Sequence, residues 1–144
     1  MSHVTKIAVS INDLESLKQA AHEMGGLFIE GKTTYGWFGR HVGDYPLPEG
    51  ITKEQLGKCS HAIMLPGCQY EIGVVQMPDG NYTLLYDFWG PGQQLKKQFG
   101  DNLKGLVQMY SVYRATNVAL KKGYKVKRSV SDNGSIKLQV TGNL

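Results

Sequence analysis

QYEIGVVQMPDGNYTLLYDFW, residues 69–89, reads as two strands joined by a turn at Pro78-Asp79-Gly80-Asn81. The second strand ends in Asp87-Phe88-Trp89-Gly90, which sets a carboxylate and a large aromatic where a strand leaves its sheet. Binding residues concentrate at such exits, because a rigid scaffold positions the loop that follows. The stretch therefore predicts a central β-hairpin and, at its end, a candidate site.

Working outward, residues 3–11 (HVTKIAVSI) alternate, are rich in β-branched types and predict a strand. Asn12 is expected to cap the next helix, with Glu15 completing a capping box three positions on. Leu14, Leu17, Ala21 and Met24 follow at helical spacing, and Gly25-Gly26 supplies the stop. Short strands are expected at 27–30 and at 61–65. Between them, residues 31–60 carry Gly31, Gly36, Gly39, Gly43, Pro46, Pro48, Gly50 and Gly57, which break any long element. Only Thr52-Lys53-Glu54-Gln55 has the chemistry of a capped turn. A loop of this length in a compact domain is usually functional or mobile.

The longest helix is expected from about Asn102 to Lys122, capped by Asp101, with Leu103, Leu106, Val107, Tyr110, Tyr113 and Leu120 on its apolar stripe. A final hairpin follows. Tyr124, Val126, Arg128 and Val130 alternate, Asp132-Asn133-Gly134 turns the chain, and Ile136, Leu138 and Val140 return. Asn-Gly is a strong hairpin signal because both residues tolerate positive φ. The order predicts one α+β domain over 1–144, a mainly antiparallel sheet with two principal helices on one face.

The 144 residues, 41% hydrophobic and 19% charged, suit a single folded domain with a real core. No apolar run is long enough to span a bilayer. Met1 to Lys6 lacks the apolar core of a secretion signal, so a cytoplasmic location and reduced cysteines are expected. The net charge is +4, and it is concentrated late: Lys121, Lys122, Lys125, Lys127, Arg128 and Lys137 face only Asp132 between positions 121 and 137. Such a patch attracts nucleic acid, nucleotides or acidic protein. The plainer reading is an edge hairpin guarded by lysines.

With these elements placed, the chain resembles the family called domain of unknown function 1257, which includes the hypothetical chloroplast reading frame 35 proteins of plastids and cyanobacteria. The resemblance rests on Met1-Ser2-His3, Ile11 to Lys18, Tyr70-Glu71-Ile72-Gly73, Asp79 to Leu84, Asp87-Phe88-Trp89-Gly90, Gln108-Met109-Tyr110, Gly123 to Val126 and Asn133 to Leu138. Residues 43–60 look like an insertion relative to the short plastid type and are similar to longer versions carried by bacteriophages. The resemblance implies no activity, since none is assigned to the family. Plastid relatives imply a housekeeping role, and a phage origin implies host takeover or defence evasion.

Four groups of residues carry candidate chemistry. The loop YGWFGRHVGDY, residues 35–45, mixes aromatics with Arg40 and His41, a composition that stacks a ring while Arg40 meets a phosphate or carboxylate. A well-packed surface loop would use the same aromatics to cover the sheet. Cys59, His61 and Cys68, with His41, offer zinc-type donors, but their spacing matches no finger or ribbon and small apolar filling accounts for them as well. A Cys59 nucleophile with His41 or His61 as base has nothing in the sequence to orient it. Glu71 and Asp87, on neighbouring strands, are explained by capping or ion pairing as easily as by acid–base work. Neither GxxxxGK[ST] nor a helix-opening GxGxxG occurs, so no cofactor is expected.

The sequence thus favours a non-enzymatic binding module. Trp37, Arg40, His41, Tyr45, Asp87 and Trp89 are expected to meet the partner, with Trp37 and Trp89 as anchors and Asp87 orienting a donor. Lys125, Lys127 and Arg128 form a second, basic surface. The expected partner is another protein or a second copy of the chain. A small anionic ligand such as a nucleotide ranks behind it, nucleic acid is a weaker candidate, and no membrane is involved.

Overall fold

Alternation along residues 71–76 and 82–87 places every second side chain of the central hairpin on each sheet face, and both faces prove to be covered. In a computed structural model, which describes residues 3–142, five strands form one antiparallel sheet. They are β1 (Val4–Ile11), β2 (Leu27–Ile29), β3 (His61–Met64), β4 (Glu71–Gln76) and β5 (Tyr82–Asp87), ordered β1-β5-β4-β3-β2. The hairpin lies at the centre and the first two strands form the two edges. Three helices, α1 (Leu14–Glu23), α2 (Gly92–Phe99) and α3 (Lys104–Lys121), accompany the sheet in this single α+β domain. A separate two-stranded sheet, β6 (Lys125–Val130) and β7 (Ile136–Thr141), ends it. No helix among the described residues is long and apolar enough to cross a membrane.

The larger core joins Ile63, Ile72, Val74, Leu84 and Tyr86 of the sheet to Leu17, Ala21, Leu95, Phe99, Leu106 and Tyr110 of the helices. The opposite face is buried as well. There Val4, Ala62 and Leu85 pack against Tyr35, Ile51 and Leu56 of the 31–60 loop.

Local details depart from the sequence reading. Asp13, not Asn12, caps α1, and its carboxylate accepts from the Ser16 amide (3.2 Å) and the Ser16 hydroxyl (2.6 Å). Asn12 instead accepts from the Tyr110 hydroxyl and the Arg114 guanidinium, which tie the start of α1 to α3. The helix α2 was not expected, since only Leu95 and Phe99 mark its buried stripe. Asp101 does not cap α3. A 3₁₀ turn over Asp101–Leu103 precedes the helix, and Asn102 (φ 52°) and Leu103 (φ 55°) are both left-handed. Two such residues cost roughly 1–2 kcal/mol each, a strain offset here by complete burial of the Leu103 side chain. In the last hairpin only Gly134 takes positive φ (83°), while the Asn133 side chain accepts from the Ser135 amide at 3.0 Å. Leu120, expected on the buried stripe of α3, is 53% exposed, and Val112 is buried instead.

A polar junction ties the terminal hairpin to the body. Arg128 donates to both carboxylate oxygens of Glu23 (2.8 and 3.0 Å) and its guanidinium carbon lies 5.1 Å from the Tyr113 ring centroid, while the Tyr113 hydroxyl donates to Glu23 at 2.6 Å. The Tyr113 bond, then Arg128, hold the Glu23 carboxyl below its ordinary value of 4.5. A carboxyl whose pKa is lowered on folding stabilises above the unfolded value and loses that contribution as pH falls through the folded one. Hairpin docking should therefore survive acidification through pH 4.5 and fail below it. Amide chemical shifts of residues 125–141 recorded against pH should show the transition, and Tyr113→Phe should move it upward.

Candidate functional site

The 31–60 loop has little regular structure, so its order must come from elsewhere, and two carboxylates of the central hairpin provide it. Glu71 and Asp87 point to the same face of the sheet, and both are buried. Continuing the Gly73↔Leu85 register by two residues sets them opposite each other. Glu71 accepts from the Lys32 ammonium with both oxygens (2.6 Å each) and from the Gly36 amide (2.8 Å). Asp87 accepts from the His3 amide (3.0 Å), the Phe38 amide (3.1 Å) and the Trp89 amide (3.1 Å). Both carboxylates thus fix the first third of the loop, and Asp87 also joins it to the beginning of β1 and the end of β5.

Close backbone approach completes the seat. The Tyr35 ring lies directly over Gly73, where an added Cβ would fall 2.4 Å from Tyr35 Cδ1. Gly36 comes so near the Gln69 carbonyl that a Cβ there would also meet it at 2.4 Å. The loop then doubles back, with the Tyr35 amide donating to the Gly57 carbonyl (2.9 Å) and the Cys59 amide to the Thr33 carbonyl (2.9 Å). Burial pushes the Tyr35 phenol up to about 12, and its buried hydroxyl makes no hydrogen bond within the described residues.

Above this seat an aromatic cluster meets solvent. His3 stacks on Phe88 with ring centroids 5.3 Å apart, and Tyr45 sets its edge against both rings. Trp89 packs edge-on to Phe38 and to His3, and Arg40 lies 5.6 Å over the Phe38 ring. His3 Nε2 is 3.3 Å from the Asp44 carboxylate. Trp89 remains 39% exposed, next to a loop that also exposes Val42 (44%) and Leu47 (39%). Of the expected partner-binding residues, Arg40, Tyr45 and Trp89 come together here. His41 lines a crevice beside Tyr45, Val4 and Leu56. Trp37 faces the other way, packing its indole on Gly57 within the second core. Asp87 lies beneath the cluster, with its oxygens occupied by this chain's own amides.

His3, Phe38 and Phe88 belong to the cluster and were not singled out by sequence. For His3 the signal was faint: it stands just before β1, and the Phe88 amide donates to its carbonyl at 3.1 Å.

The basic surface divides in two. Lys125 and Lys127 share one face of the hairpin with Lys137, since Ser129 pairs with Lys137 and Lys127 with Gln139. Arg128 lies on the opposite face, engaged with Glu23.

Both thiols and the His61 imidazole make hydrogen bonds within the chain. Burial pushes the Cys59 thiol up to about 11, and it donates to the Lys32 carbonyl at 3.2 Å. The Cys68 thiol, also raised by burial, donates to the Pro91 carbonyl. His61 Nδ1 accepts from the Gly31 amide at 2.9 Å. A nucleophilic cysteine needs the thiolate near neutral pH, and neither thiol is in an environment that favours it. Among the described residues no group of three or more His, Cys, Asp or Glu is placed to hold a metal ion.

Compared with known proteins, the chain matches no family model, no curated protein and no solved structure.

Two substitutions test the seat. Asp87→Ala leaves three amides without their acceptor and should destabilise the fold by roughly 3–5 kcal/mol. Tyr35→Phe removes only the unpartnered hydroxyl and should stabilise by about 1 kcal/mol. Urea unfolding of both variants checks the pair of signs.

Proposed function

We propose that this chain is a non-enzymatic binding module that engages a protein partner through the aromatic face around Trp89. The observation that carries the reading is the combination of an exposed Trp89 with a loop fixed beneath it by Asp87. A large aromatic held in one geometry loses little entropy on binding, and Trp and Arg are the commonest interface anchors. Arg40, already stacked on Phe38, is placed to donate to a carboxylate at the rim.

The concavity beside the cluster, bounded by Thr5, Tyr45, Tyr86, Phe88, Lys96 and Asp101, measures only about 240 Å³. Small-molecule sites usually enclose roughly 300–1,000 Å³, which favours a flat protein contact over a pocketed ligand. The Arg40–Phe38 stack supports a second reading, in which a small anion such as a nucleotide is held and the module acts as a sponge in phage counter-defence. Membership of the domain of unknown function 1257 family, a bacteriophage origin and a cytoplasmic location belong to this proposal. The face formed by Lys125, Lys127 and Lys137 would serve acidic partners or nucleic acid as a secondary surface.

Trp89→Ala should weaken binding of a co-purifying protein by about 30-fold, the effect of losing a hot-spot anchor worth some 2 kcal/mol, with no change in melting temperature. Affinity capture with wild type and variant, followed by native mass spectrometry, makes the measurement. A small retained mass that is lost on denaturation and abolished by Arg40→Ala would replace the protein reading with the anion reading.

A further inference from the structure

The terminal hairpin carries a regular ladder with two uncovered edges. β6 and β7 form a sheet of their own and pair without a break from Val130↔Ile136 to Lys125↔Thr141. At the turn the Ser131 amide donates to the Ser135 carbonyl (2.9 Å). Bonded and unbonded pairs alternate along an antiparallel ladder, so Lys137, Gln139 and Thr141 bond inward to β6. The amides and carbonyls of Ile136, Leu138 and Val140 therefore point outward, and among the described residues they meet no partner. Lys137, Gln139, Val140 and Thr141 are all exposed, with Val140 at 51% despite its apolar side chain. A ribbon of two strands is marginally stable by itself, and a free edge is a template for a further strand.

Charge decides which edge suits a second copy. About a two-fold axis, β6 can pair with itself over five of its residues in two ways, centred on Lys127 or on Arg128. Either sets a cation opposite its own counterpart, which is destabilising. β7 centred on Leu138 opposes no like charges. On one face Leu138 meets its counterpart and Ile136 meets Val140, and on the other face Lys137 meets Gln139. All three outward residues of each copy then find bonding partners. The strand is its own complement, as a two-fold contact requires.

We propose that β7 is a dimerisation edge, where a second copy of this chain adds its own β7 antiparallel, about a two-fold axis through Leu138. The product is a four-stranded sheet. Its outer face continues from one copy to the other and carries Lys125, Lys127 and Lys137 of each, with no carboxylate among them. The basic surface is thereby doubled by the dimer. This edge shares no residue with the Trp89 face, so the two readings stand or fall separately.

The test is sedimentation equilibrium of the intact chain, with amide exchange followed over the same concentrations. One strand pair buries little area, so a dissociation constant on the order of 10–100 µM is expected. The Ile136, Leu138 and Val140 amides should gain protection as concentration rises, and those of Val126, Arg128 and Val130 should not. Val140→Lys sets a cation beside Ile136 of the second copy, twice per dimer, and should weaken association by about tenfold. Val130→Lys, on the β6 edge, should leave it unchanged. If Val140→Lys loosens the hairpin itself, seen as lost Gln139 protection in dilute solution, the wild-type protection pattern decides alone. The proposal is overturned if the chain stays monomeric up to about 1 mM, where such a dimer would dominate. It is also overturned if species larger than a dimer form, if protection rises at β6 and not β7, if a well-folded Val140→Lys associates as tightly as wild type, or if Trp89→Ala dissolves the dimer.

Discussion

Two buried carboxylates, Glu71 and Asp87, hold this molecule together on the side where it has no α-helix. A thirty-residue loop of glycines, prolines and scattered polar groups has no periodic face with which to bury itself, and ordering it is entropically unfavourable. Glu71 and Asp87 offset this by accepting from the Lys32 ammonium and from four backbone amides, those of His3, Gly36, Phe38 and Trp89. Hydrogen bonds to an ionised acceptor are stronger than neutral ones, and here they converge from three separate segments. With the loop so fixed, Tyr35, Ile51 and Leu56 can close over Val4, Ala62 and Leu85, and the sheet gains a second core.

The same arrangement sets what the surface presents. Asp87 ties the beginning of β1, the first part of the loop and the end of β5 to one point, so His3, Phe38, Phe88 and Trp89 have no choice but to gather. The aromatic cluster is therefore a by-product of the carboxylate seat as much as a site in its own right. Elsewhere in the domain, burial favours the neutral form of both thiols, and the imidazole of His61 is engaged by a backbone amide.

Much of the fold was legible because it is local. Alternation marked β1, the Pro78–Asn81 turn between two runs of strand-forming residues marked β4 and β5, and Gly25-Gly26 and Gly123 marked helix ends where the structure places them. The failures are physical in origin. α2 buries only Leu95 and Phe99 along its core stripe, too few apolar positions to raise a periodic signal above a Gly- and Gln-rich background. The left-handed pair Asn102–Leu103 overrides the capping chemistry of Asp101, since the core claims the Leu103 side chain. The candidate site was half legible. Trp89 and Arg40 stood out by residue type, but the separation of Trp37 from Trp89 depends on the contact with Gly57, and nothing local encodes it. The role of Asp87 was hidden for the same reason, because its amide donors lie 84, 49 and 2 residues away.

The last hairpin differs from everything before it in how far its contacts reach along the chain. The main sheet joins β1 to β5 across nearly the whole domain, so it can form only after long loops have closed. The hairpin pairs Val130 with Ile136 and Lys125 with Thr141, all within seventeen residues. Such a unit opens and closes on its own schedule, at a free energy below that of global unfolding. The protein thus combines a central body closed by distant contacts with a terminal hairpin closed by near ones.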